Sequence, residues 1–398
     1  MEVRRIRPEE EQQAERIVEV CMNAEPGRIP FPGEGPEMTT LAAFDDDGVM
    51  TSVVHSKPYI TNYWGNLVGM SGVGEVSTLP EHRYKGHMKA LLTLLLRDSR
   101  ERGDLLSALY PFSHPFYRKL GYENGPVLGI AEAELSEYKA FPPIGTVRPY
   151  RPGEDEETIA DIYNDFIAPR NFGCLRSEKD WEGLLSGDPC KTHRQPYLWL
   201  DAQGEAQGYF ILHHARRKEK ACYELPDYAF RTPEAFRGML GFIGRLTHSG
   251  WPIRLLLPDE CDPFLLFPEP YNVKVTRDCR GMVRVVNAEK CLALYPFAVP
   301  VTFTVRVEDP NLPENSGVYR VTNEEEAGEE DALNLVEKLP DGEAADLECG
   351  IQAFSLLLTG ASELGALLAN RTDIRVCGQL QPLLRAFHPG MSWLKEDF

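Results

Sequence analysis

Val73-Gly74-Glu75-Val76-Ser77-Thr78-Leu79-Pro80-Glu81-His82-Arg83-Tyr84-Lys85-Gly86-His87-Met88 reads as a strand, a basic turn and the start of a helix. Met88, Leu91, Leu92 and Leu95 recur at helical spacing and carry that helix to Arg102, where Gly103 is a natural stop. The first N–H groups of a helix lack intrahelical partners, and the helix dipole favours an anion beside them. Gly86 permits close approach to the backbone, and Arg83 and Lys85 add positive charge. A strand–turn–helix of this kind suits a pyrophosphate.

Downstream, a short buried strand over Leu105–Leu109 leads to Pro111-Phe112-Ser113-His114-Pro115-Phe116-Tyr117-Arg118-Lys119-Leu120-Gly121-Tyr122. A phenol has an ordinary pKa of about 10, so Tyr117 holds its proton at neutral pH and can give it to a departing thiolate. Tyr122 follows Gly121 at the start of another strand and reads as the packing tyrosine. If Val76 to Thr78 splay from the neighbouring strand, their backbone groups are free for the amides of a pantetheine arm. One such N–H can also polarise a thioester carbonyl. Cradle, splayed strand and phenol together suggest an enzyme that uses an acyl-CoA.

The chain has 398 residues, which calls for two or three domains. Pro8 opens a first helix with Ala14, Ile17, Val18, Cys21 and Met22 on one face. Strands over Leu41–Phe44 and Val49–His55 flank the hairpin signal Asp47-Gly48. A faint repeat follows: Val3-Arg4-Arg5-Ile6-Arg7-Pro8 resembles Val147-Arg148-Pro149-Tyr150-Arg151-Pro152. A second helix face then carries Ile159, Ile162, Tyr163 and Phe166, and strands flank Gln203-Gly204. Phe230-Arg231-Thr232-Pro233-Glu234-Ala235 replaces the basic glycine turn, so the second copy is expected to have lost the anion site. Phe141-Pro142-Pro143-Ile144-Gly145 is the expected linker. From Cys291 onward, a strand over Thr302–Val307 and helical patterns at Gln352–Leu358 and Leu364, Leu367 and Leu368 suggest a small α+β domain.

The formal net charge is −19, which disfavours nucleic acid and attracts cations. No apolar run is long enough to span a membrane. The charged start from Met1 to Arg7 lacks a signal core, so a cytoplasmic location is expected. Nine cysteines show no metal-ligand spacing, so they are expected to stay reduced and no metal is expected.

Arg83-Tyr84-Lys85-Gly86-His87-Met88 resembles the acyl-CoA signature of the GNAT N-acetyltransferases, with Met88 departing from the usual last residue. Together with Phe116-Tyr117-Arg118-Lys119-Leu120-Gly121-Tyr122, it resembles the Eis (enhanced intracellular survival) acetyltransferases. That resemblance implies an α/β (α+β) chain of two tandem GNAT folds and a C-terminal sterol-carrier-protein-like domain, with spans of 1–140, 141–288 and 289–398. Met282 to Asn287 resembles the junction into the third domain.

The resemblance further implies acetyl-CoA as co-substrate, held by Val76, Ser77, Thr78, Arg83, Tyr84, Lys85, Gly86, His87, Met88 and Lys89, with help from Phe112 and Ser113. Tyr117 becomes the general acid, and the α-carboxylate of Phe398 the base. Asp397, and Glu25 in the Gly/Pro-rich loop from Glu25 to Pro36, are expected beside a cationic amine. The implied acceptor is an aminoglycoside, polyamine or lysine-like amine, and the implied assembly a homo-oligomer, a hexamer. A non-catalytic acyl-CoA-binding regulator is the alternative. Lipid carriage by the third domain is not expected, since a carrier-like fold need not keep a cavity.

Overall fold

The computed structural model describes residues 1–26, 38–217, 220–246, 251–258, 260–279, 281–323, 333–340, 342–396 and 398. The chain divides into two units. One comprises Met1–Pro126, Arg280–Gly390 and Leu394–Phe398, and the other Val127–Cys279 and Met391–Trp393.

In the first unit, Glu2–Arg5, Thr39–Phe44, Met50–Tyr63 and Asn66–Thr78 form successive antiparallel neighbours. Leu106–Leu109 then joins in parallel, followed by Met282–Val285 and Glu123–Asn124. The helix His87–Arg102 lies on this sheet. It buries Met88, Leu91, Leu92, Leu95 and Leu96 among Leu41, Val54, Val73, Leu109 and Tyr122. This is the apolar face that the sequence spacing marks, and the helix ends at Gly103 with a left-handed φ of 97°.

The same unit holds a five-stranded sheet among the described residues. Its order is Leu335–Leu339, Gly317–Asn323, Val301–Glu308, Leu347–Gly350 and Ile374–Val376. The helix Ile351–Leu358 connects this layer to the first sheet: Ser355 Oγ accepts the Val285 N–H at 2.9 Å.

The second unit repeats the first four antiparallel strands and the parallel fifth. Thr146–Pro149, Arg194–Leu200, Ala206–Arg217 and Lys220–Phe230 are antiparallel, and Pro252–Leu257 joins the last in parallel. Leu128–Glu134 and Lys274–Asp278 complete this sheet. The sequence repeat has a physical counterpart. Arg4 clamps Glu10 through two 2.7 Å bonds, and Arg148 clamps Asp155 through two of the same length. The same carboxylates accept the N–H groups of Arg7 and Arg151. In both copies an arginine on the first strand thus ties down the entry to the first long helix.

Two strands cross the boundaries expected from sequence. Leu128–Glu134 lies inside the 1–140 span but pairs in the second sheet. Met282–Val285 lies inside the 141–288 span but pairs in the first sheet. Met282–Val285 is buried at all four residues, so it needs neighbours on both edges and finds them there. Phe141 is not a solvated linker residue either: it is 2% exposed, with its ring against Tyr138 and Phe267. The acidic stretch Glu324 to Asp331 lies outside the described residues.

Among the described residues no helix is long and apolar enough to cross a membrane. No group of three or more His, Cys, Asp or Glu side chains there could hold a metal. All nine cysteines are free of disulfides.

Arg284, on the Met282–Val285 strand, and Asp309 are both fully buried and paired at 2.5 Å. Asp309 also accepts from the backbone of Asn311 and Leu312 and from Asn315 Nδ2. Replacing Asp309 with alanine leaves a guanidinium stranded in the interior. Such a loss costs about 3–5 kcal/mol. Urea denaturation of Asp309→Ala is expected to show a midpoint lowered accordingly.

Candidate active site

The pairing between Asn66–Thr78 and Leu106–Leu109 ends at Val73 opposite Leu109. Beyond Val73 the first strand runs on to Thr78 without that neighbour, which is the splay expected from sequence. A bulge accompanies the parting. Ser77 pairs with Val53 and Gly74 with His55, so Glu75 and Val76 share one opposing residue. Glu75 takes a left-handed φ of 53°, costly for a side chain of its type. Its carboxyl is half-buried, and burial holds its pKa above the ordinary carboxylate range. The sequence reading missed Glu75, because no glycine or asparagine marks the left-handed position.

The strand leads into the basic turn. Tyr84 and Gly86 have φ of 64° and 86°. Ala90 is the first residue whose N–H reaches back, to the Gly86 carbonyl at 3.1 Å. Among the described residues, the N–H groups from Tyr84 to Lys89 have no backbone acceptor, and nothing lies within 4 Å of a Cβ built on Gly86. Arg83, Tyr84, Lys85 and Lys89 are exposed, and Arg83 Nε donates to the Thr78 carbonyl at 3.3 Å. His87 and Met88 differ: His87 Nδ1 meets Thr51 Oγ1 at 2.7 Å, and Met88 packs in the core. These two can offer only backbone N–H groups to a ligand. The open N–H groups, the open space at Gly86 and the strand edge that parts from Leu106–Leu109 fit an acyl-CoA.

The second copy shows what closes such a site. There the helix Pro233–Ile243 starts with Thr232 as its cap, and Thr232 Oγ1 accepts the Ala235 N–H at 3.1 Å. Pro233 has no N–H to offer. The Phe236 N–H in turn reaches the Thr232 carbonyl at 3.2 Å, so this helix start is capped by its own residues where the first copy has a glycine turn.

Tyr117 lies in the short helix His114–Arg118 and is 1% exposed. Its ring meets Phe112, Phe116 and Tyr122 at 5.3, 5.1 and 6.2 Å. Burial, aided by Tyr122, raises its pKa well above the ordinary phenol value. Tyr122 is fully buried, and its hydroxyl is tied to Ser107 Oγ at 2.7 Å, as befits a packing residue. Phe112 is 69% exposed beside Tyr117. The Ser113 carbonyl accepts the N–H groups of Phe116 and Tyr117, which starts the helix.

The end of that turn is held by residues no local motif announces. The carbonyls of Arg118, Lys119 and Leu120 accept from Gln352, Asn311 and Arg284. Glu123, 3% exposed, bridges Arg118 at 2.7 Å and Arg371 at 2.6 Å. Gly121 has a φ of 84°, and a Cβ there would strike the Arg284 guanidinium.

Phe398 is half-buried in the same unit. A Cβ on Gly74 would lie 2.7 Å from both its carboxyl carbon and a carboxyl oxygen. The carboxyl group therefore rests on the strand beside the bulge. Glu25 is exposed, and Asp397, with most of the loop ending at Pro36, lies outside the described residues.

Comparison with known proteins bears on the domains and the fold. Residues 2–125 match the acetyltransferase (GNAT) domain, and residues 288–394 match the sterol carrier protein domain. The protein is thus an acetyltransferase with a GNAT domain at one end and a sterol carrier protein domain at the other, and GNAT chemistry draws on an acyl-CoA. An uncharacterized N-acetyltransferase of Streptomyces coelicolor is 25% identical over 327 residues, 76% of this chain and 74% of that protein. A probable N-acyltransferase from Enterococcus faecalis shares the fold with a TM-score of 0.85 and 24% identity, covering 98% of each chain. Eis1 from Mycobacterium abscessus shares it with a TM-score of 0.80 and 19% identity, covering 100% of each. The Eis-like architecture implied by the motifs is the architecture observed.

Gly86→Val tests the turn. The surrounding space is open, so the cost is conformational, about 1–2 kcal/mol for a left-handed position. Calorimetric titration with acetyl-CoA is expected to show binding weakened by roughly 5- to 30-fold, with the fold retained.

Proposed function

We propose that the protein transfers an acetyl group from acetyl-CoA to a primary amine of a cationic acceptor, within a ternary complex. The observation that carries this reading is the Phe398 carboxyl group lying on Gly74, beside the bulge of the strand that parts after Val73. An acid group and the expected thioester-binding strand thus meet, in the unit that also holds Tyr117.

The amine nitrogen attacks the thioester carbonyl carbon, and the carbon–sulfur bond breaks. Backbone N–H groups of the parted strand are suited to the charge that builds on the carbonyl oxygen. Tyr117 supplies the proton taken up by the leaving thiolate. The amine proton leaves toward the Phe398 carboxylate, directly or through water. A free α-carboxyl has a pKa of roughly 3.5 and is a weak base at neutral pH. Its second contribution is electrostatic: it holds the ammonium form of the acceptor beside the thioester. The net charge of −19 favours approach of such a cation. Aminoglycosides, polyamines and lysine-like amines share this chemistry.

The assay is release of free CoA across a panel of polyamines and aminoglycosides. Release with none of them would overturn the acceptor class. Tyr117→Phe is expected to lower kcat by about 10²- to 10⁴-fold, the usual worth of a placed acid, with the KM for acetyl-CoA little changed. The wild-type pH profile carries a further expectation. A phenol whose pKa is raised stays protonated as pH climbs, so Tyr117 should cause no fall in kcat between pH 7 and 10.

A further inference from the structure

The ring of Phe398 occupies a built slot. Tyr110 stacks on it with ring centres 5.2 Å apart and planes at 21°. Tyr59 meets it edge-on at 5.4 Å and 72°. The floor is Gly72, where a Cβ would lie 2.5 Å from Phe398 Cδ1 and 2.6 Å from Tyr59 Cε2. Gly72 and Gly74 fall on the same face of the strand, since side chains alternate along it. Ring and carboxyl group therefore each need one glycine.

The walls are themselves fixed. Tyr59 is 6% exposed, with the Lys57 ammonium 4.8 Å over its ring. Tyr110 directly follows the strand Leu106–Leu109. Leu394, 3% exposed, anchors the tail four residues earlier, close enough to Gly281 that a Cβ there would lie 2.5 Å from its side chain. The tail is thus held at two points, an aliphatic anchor and an aromatic plug, and the second sets where the carboxyl group sits.

We propose that this slot is a binding site for an aromatic residue bearing a free C-terminal carboxylate, filled in the native protein by Phe398. Tyr59 and Tyr110 are positioning residues: they touch the ring and, through it, aim the carboxyl group at Gly74. A stacked aromatic pair contributes beyond its buried area, so loss of the Tyr110 stack weakens occupancy by up to about tenfold. The slot rests on geometry alone; its effect on turnover rests on the reading that the Phe398 carboxylate takes part in transfer.

The experiment removes Phe398 and offers the ligand back. The probes are the tetrapeptide Lys-Glu-Asp-Phe, its C-terminal amide, and Lys-Glu-Asp-Ala, titrated calorimetrically into the Phe398-deleted protein. Undiminished acetyl-CoA binding by that protein reports an intact fold. The expected result is that the free-acid phenylalanyl peptide binds roughly tenfold tighter than either control and saturably restores CoA release. Equal binding of all three peptides, or of none, overturns the slot. Selective binding without recovered turnover upholds the slot and overturns the catalytic reading of Phe398.

The full-length chain gives a second measurement, independent of the deletion. Tyr110→Ala is expected to lower kcat about tenfold with the KM for acetyl-CoA unchanged, and Tyr110→Phe to retain wild-type kcat. Equal kcat for Tyr110→Ala and the wild type overturns the positioning role.

Discussion

The buried pair of Arg284 and Asp309 is the joint on which the first unit depends. Arg284 sits on the strand Met282–Val285, which completes the sheet beside Leu106–Leu109. Its guanidinium reaches Asp309 in the C-terminal layer and the Leu120 carbonyl at the end of the tyrosine turn. A charge with no solvent must be matched, so both partners fix their surroundings as firmly as they fix each other. Gly121 exists in this shape because the guanidinium leaves no room for a Cβ. One cation therefore couples the acyl-CoA sheet, the Tyr117 turn and the C-terminal layer.

That coupling gives the sterol carrier protein domain a concrete part. Gln352, Asn311 and Arg371 all reach from it to the turn that carries Tyr117, to the Arg118 and Lys119 carbonyls and to Glu123. The tail that follows brings Phe398 to Gly74 on the parted strand. The domain thus holds both halves of the proposed site, the Tyr117 turn and the Phe398 tail. The sheet contributes mainly by what it lacks: side chains at Gly72 and Gly74, and the Leu106–Leu109 partner beyond Val73.

Local patterns were the legible part of the sequence. Leu91, Leu92 and Leu95 located the helix to within one residue of its observed start at His87, because helical periodicity is written within a few turns. The echo of Val3-Arg4 in Val147-Arg148 was legible too, and it proves to be a strand clamped to a helix in each copy. The absence of a basic glycine turn between Phe230 and Ala235 was legible, whereas the Thr232 cap that stands there was not read. Long-range partnerships were not legible. Nothing near Leu128 or Met282 announces which sheet each joins, since the partners of both strands are distant in sequence. The ring slot draws on Tyr59, Tyr110 and Phe398, three aromatics whose meeting depends on the whole unit. The bulge at Glu75 left no mark because its strained residue is not of a type that signals a left-handed backbone.

In the proposed reaction the parted strand, Tyr117 and Phe398 converge on one thioester. The most direct measurement is a crystal structure with CoA bound, read for the position of the sulfur. Convergence puts the Tyr117 hydroxyl within hydrogen-bonding distance of that sulfur, with the Phe398 carboxylate facing the same point from Gly74. A sulfur that ends away from Tyr117, with the pantetheine arm leaving the strand before Gly74, would contradict it.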